Sequence, residues 1–132
     1  MGFEEIPHTA DWSVLVWARD LPSLFAESAR AMNALAETVT TQGPHVNRAF
    51  EAKGHDIESL LVAFLSELVY FQEQENLAFD TFDIQINSQR MSANIEGNEI
   101  ISVDKAIKAV TYHNLKIEET ARGYEVVIVF DV

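Results

Sequence analysis

The chain has 132 residues, carries 21 acidic against 9 basic side chains for a formal net charge of −12, and contains no cysteine. That length suits one domain able to bury about two thirds of the surface that its unfolded form exposes. Disulfides and thiolate metal sites are excluded, and with no window rich in Lys or Arg, direct binding to an RNA or DNA phosphate backbone is not expected.

The opening residues Met1-Gly2-Phe3-Glu4-Glu5-Ile6 are acidic where a signal peptide would be basic. No apolar run reaches the roughly 20 residues that span a bilayer, so a soluble, cytoplasmic protein without membrane attachment is expected. Residues 3–7 and 12–18 read as strands, the second with Trp12, Val14, Val16 and Ala18 on one face and Leu15 and Trp17 on the other. Asp20-Leu21-Pro22 opens a helix, because Asp caps and proline tolerates the first turn. Leu21, Leu24, Phe25, Ala29, Met32, Leu35 and Ala36 form its apolar face, and Gly43-Pro44 closes the helix and its tail.

Residues 46–53 read as a weaker strand. Asp56 then caps a second helix whose Ile57, Leu60, Leu61, Phe64, Leu65, Leu68 and Phe71 make one continuous stripe that must lie on a sheet. Phe82, Ile84 and Ile86 alternate, as do Met91, Ala93 and Ile95, with Gly97-Asn98 read as a turn. Residues 104–109 fit either a helical turn or a loop. Tyr112 to Glu119 reads as a strand, joined through Ala121-Arg122-Gly123 to a last strand. The sum is a single-domain α+β fold over residues 1–132, a mixed β-sheet with two main helices packed on it.

The final strand organises the rest. Val126 to Phe130 is unbroken and apolar, with four β-branched residues, which predicts a central strand covered on both faces. Asp131 and the carboxylate of Val132 follow it side by side. If the strand from Trp12 runs beside it, Asp11 joins them, and His8 stands nearby. An all-carboxylate set suits a hard cation such as calcium, magnesium or manganese better than zinc. The histidines at 8, 45, 55 and 113 lack paired metal-ligand spacing.

Plainer readings stand beside these. The tail can fray into solvent, His8 can serve a local turn, and Lys108 can be a snorkelling stem beside Ile107 and Val110. Glu58 and Glu67 can be solvated helix residues, and Trp12 and Trp17 core packing, although Trp12 could wall a site.

Three segments together, Pro7-His8-Thr9-Ala10-Asp11, Ile107-Lys108-Ala109-Val110-Thr111-Tyr112-His113 and Val129-Phe130-Asp131-Val132, resemble the archease family. The stretch from Gly54 through Leu68 is similar to that family's central helix, so the resemblance covers nearly the whole chain. It implies a non-enzymatic, cytosolic protein cofactor of the RtcB-type tRNA-splicing ligase. That ligase joins RNA ends through a guanylylated histidine, and archease is described as promoting guanylylation and permitting multiple turnover, in tRNA splicing or RNA repair.

The resemblance also implies a divalent metal, calcium first among the candidates, with ligands at Asp11, Asp131 and Val132. Lys108 belongs to a shared motif and is a candidate functional or partner contact, with His8 as a supporting residue. Trp12 departs from the small or aliphatic residue common after the motif Asp. Two other readings are weighed against the activator. One is a stand-alone metal-dependent hydrolase with His8 or His113 as base; the other is a chaperone-like binding domain.

Overall fold

The structure, a computed structural model, describes residues 1–6 and 12–132. Strand β1 (Gly2–Ile6) pairs antiparallel with β2 (Trp12–Ala18), and β2 with the final strand β9 (Gly123–Asp131), from Trp12 opposite Phe130 to Ala18 opposite Tyr124. The other edge of β9 takes β7 (Ala109–Val110) at its far end and β8 (Glu118–Thr120) at its near end. The last strand is therefore central, as its β-branched run predicts. One face is fully packed, with Val126, Ile128 and Phe130 buried, and the other is covered only in part, with Val129 buried at 8% exposure and Val127 37% exposed. The run owes its length to strand propensity as well as burial.

Helix α1 (Leu21–Ala36) begins at Asp20, as expected, and stops at Glu37, which turns left-handed at φ 51° well before Gly43. Its buried positions include Leu24, Phe25, Ala29 and Met32, and it touches β2 and the later strand of residues Leu77–Asn87. Being covered on several sides, it also buries Ser28, whose hydroxyl donates to the Leu24 carbonyl at 2.7 Å and so stays satisfied.

Strand β4 (Val46–Lys53), helix α2 (Ile57–Glu75) and strand β5 (Leu77–Asn87) follow as a unit. Both strands pair antiparallel with β6 (Arg90–Ser102), which therefore lies between them, and the short β3 (Val39–Thr40) extends that sheet. The fold is thus α+β with two main helices, but its strands form two antiparallel sheets where one mixed sheet was expected. The reason is visible at β4-α2-β5: a helical crossover makes β4 and β5 point the same way, yet β6 enters between them and removes the parallel contact.

Two further readings are corrected. Gly97-Asn98 is no turn, because β6 runs straight through it; the β5–β6 hairpin turns at Ser88-Gln89, with Ser88 at φ 58°. Gly97 lies where β5 bulges between Phe79 and Thr81, and a Cβ there would meet the Ala78 carbonyl and the Phe79 Cα at 2.6 Å. Absence of a side chain lets the bulge close. Residues 112–117 are not strand: the Leu115 N–H returns to the Tyr112 carbonyl at 3.1 Å, and Asn114 is left-handed at φ 50°. Asn tolerates that region because its short amide can bond locally.

Both predicted helix caps are present, with Asp20 and Asp56 each accepting a backbone N–H three residues on at 2.8 Å. The Ser23 hydroxyl, and then the Ser23 backbone N–H, hold the Asp20 carboxyl below its ordinary value near 3.8. A folded pKa below the unfolded one gives stability that is complete above the unfolded value and is lost as pH falls through the folded one. Asp20→Ala is expected to cost about 0.5–1 kcal/mol at neutral pH, the low end for a well-exposed cap, and less once the wild-type carboxyl is protonated and caps only as a neutral acceptor. Urea midpoints across the acid limb measure it.

Candidate functional site

The predicted metal-ligating and supporting residues converge only as far as the described residues extend. His8 and Asp11 lie outside them. Asp131 is the last residue of β9 and is exposed, and Val132 is half-buried against the core, so this tail is held and does not fray. Trp12, opposite Phe130, starts β2 at the same end of the sheet. It packs partly against the core, and the Lys105 ammonium stands 5.1 Å from its ring centroid, so Trp12 and Lys105 flank the strand end together.

Lys108 reaches the same end through its main chain. Its N–H donates to the Asp131 carbonyl at 2.8 Å, Ala109 pairs with Asp131, and the Thr111 N–H and hydroxyl both bond to the Val129 carbonyl, at 3.0 and 3.1 Å. The Lys108 side chain is exposed between buried Ile107 and Val110. Lys108 directly precedes β7 and, like Ala109, is exposed, which leaves its ammonium in solvent.

The end of α1 adds negative charge here. The Asp104 and Lys105 N–H groups bond to the Ala36 carbonyl at 3.0 and 3.2 Å. Asp104 shares a hydrogen bond with Glu37 and repels its charge, which holds the Glu37 carboxyl above the ordinary range. Among the described residues no cluster of three or more His, Asp or Glu side chains is arranged to hold a metal. Of the residues expected to hold a metal, those described, Asp131 with its carboxylate and Val132 with a main-chain oxygen, offer hard oxygen atoms, a donor type that fits a divalent cation.

One contact was missed in the sequence. Glu58, read as solvated, accepts the Ile117 backbone N–H at 2.8 Å and so ties the loop after β7 to the first turn of α2. Nothing in the local pattern marks it, because a glutamate in a first helical turn is already explained by the helix dipole. Trp17, by contrast, is not part of the core that Trp12 packs against: it is half-buried on the other face of β2, beneath the Arg122 guanidinium 4.0 Å from its centroid.

Comparisons with known proteins extend these local observations to the whole chain. The family described as "Archease protein family (MTH1598/TM1083)" matches residues 3–132. The protein archease of Methanopyrus kandleri is 32% identical across 89% of this chain and 90% of its own. That of Methanosarcina acetivorans is 32% identical across 98% and 95%. The solution structure of Methanobacterium thermoautotrophicum protein 1598 superposes with a TM-score of 0.73 over 99% of both chains at 23% identity, a likeness of fold. By near-complete coverage and this level of identity, the chain belongs to the archease family.

Proposed function

We propose that the protein is a non-catalytic, metal-binding accessory protein of an RtcB-type RNA ligase, working in the cytoplasm in tRNA splicing or RNA repair. It promotes ligase guanylylation and permits multiple turnover. Family membership supports the accessory role. The register of β2 on β9 supports the metal site: Trp12 is opposite Phe130, residue 11 is bonded to the first, and residue 131 to the second. In this reading Asp11, Asp131 and Val132 hold a divalent ion, calcium first, with magnesium or manganese as substitutes, and His8 supports them. The bound ion supplies the positive charge that lets these carboxylates stay ionised side by side.

The chain's own contribution is placement and charge. Phosphoryl transfer depends mainly on positioning and on neutralising charge, and a domain of net charge −12 is suited to dock beside a ligase's basic RNA channel. Lys108, exposed next to Asp131, then contacts the ligase, and docking selects its nucleotide-ready conformation. Such docking weakens as salt screens the attraction.

The test combines purified protein, ligase, GTP and phosphate-ended RNA. Guanylylated ligase is expected to form faster and ligation to continue beyond one turnover when the protein is added, with less stimulation at high salt. RNA processing by the protein without ligase would instead favour the hydrolase, and unchanged ligase turnover would overturn the proposal.

A further inference from the structure

We propose that a second site, at the junction of the β5–β6 hairpin and the start of α2, binds an oxyanion of the phosphate class. A cavity of about 530 Å³ lies there, its lining including Lys53, His55, Ser59, Gln89, Arg90 and Tyr112. That volume falls in the range of small-ligand pockets. Among the described residues no Asp or Glu lines it, in a chain where acids outnumber bases by more than two to one. The Asp56 carboxylate close by is engaged in capping α2 through the Ser59 N–H at 2.8 Å.

The register of the sheet sharpens the case. Lys53 on β4 stands directly opposite Arg90 on β6. Their neighbours Ala52 and Met91 turn inward, and Lys53 and Arg90, at the strand ends, line both this cavity and a depression on the outer face of the sheet that Glu51 shares without pairing with either cation. Like charges directly opposite each other destabilise a strand pair. Arg30, Arg48 and Arg122 each have an acidic partner at 2.6–3.3 Å, whereas Lys53 and Arg90 form no ion pair among the described residues. An oxyanion between them cancels the repulsion and offers the planar guanidinium the paired oxygens it binds best. The hydroxyls of Ser59 and Tyr112 and the Gln89 amide are neutral donors on the same walls. Tyr112, 61% exposed, also presents its ring to whatever the phosphate is attached to.

The site is separate from the Asp131 end, so it stands or falls independently of the metal. Titration of the full chain with inorganic phosphate at constant ionic strength, followed by backbone amide shifts, is expected to perturb residues 53–55, 59, 89 and 90 saturably. Lys53→Gln and Arg90→Gln should each weaken binding at least tenfold, and Lys116→Gln should leave it unchanged. Lys53→Gln should also raise the melting temperature in chloride, by relieving the cation pair, and lose that gain in phosphate. Shifts that chloride reproduces at matched ionic strength, or that survive in Arg90→Gln, overturn the proposal. A parallel titration with a nucleoside monophosphate identifies the source. Equal affinity assigns free phosphate, and tighter binding that Tyr112→Leu removes assigns a phosphate ester.

Discussion

Asp131→Ala is expected to abolish stimulation of the ligase while leaving the domain folded. The side chain is exposed, and the structural work of this residue is done by its backbone, which pairs with Ala109 and accepts the Lys108 N–H at 2.8 Å. Alanine keeps both, so the stability change should stay within about ±0.5 kcal/mol. What it removes is a carboxylate proposed to ligate the metal. Loss of residues that merely orient ligands costs about 10- to 100-fold in metal affinity, and loss of a ligand should exceed that.

The measurement is the calcium dependence of the melting temperature, because an ion that binds only the native state stabilises it in proportion to the logarithm of its concentration over Kd. Wild-type protein should gain stability with added calcium, and Asp131→Ala should not. Equal gains, together with full ligase stimulation by the variant, would remove Asp131 from the site.

Phe64→Ala is expected to lower stability by about 3–5 kcal/mol, a large part of the 5–15 kcal/mol typical of a domain. Phe64 is 0% exposed, and its ring lies 5.7 Å from Phe25 on α1, 6.0 Å from Phe50 on β4 and 6.1 Å from Phe82 on β5. Removing it opens a cavity bounded by three elements that are each fixed by other contacts, so collapse can fill little of it. Urea unfolding should show a lower midpoint with an unchanged slope. Phe64→Leu, which keeps most of the volume, should cost clearly less. A loss below ~1 kcal/mol in the alanine variant would mean that the four-ring cluster is not the centre of the core.

The helices were legible because two signals coincide in each. Asp20 and Asp56 mark the starts through their own side-chain chemistry, and the apolar stripes that follow carry the 3.6-residue period. The central place of the last strand was legible too, from β-branched residues that suit a pleated surface. In the candidate site, the residue types of Asp131, Val132 and Lys108 and the motifs that contain them could be read directly. Their order and spacing pointed to the family that the whole-chain comparisons show.

What the sequence by itself determined is therefore which faces are apolar, where helices start, and that Asp131 stands at the end of the last strand. Only the tertiary structure decided which strands are neighbours. Alternation marks a buried face without naming the partner across the ladder, so the insertion of β6 between β4 and β5 and the division into two sheets had no local sign. Gly97 looked like a turn residue because its reason for lacking a side chain is a bulge in another strand. The same holds for Glu58 holding Ile117 and for Lys53 facing Arg90: each joins residues far apart in the chain, and such pairings are set by how the packed layers meet.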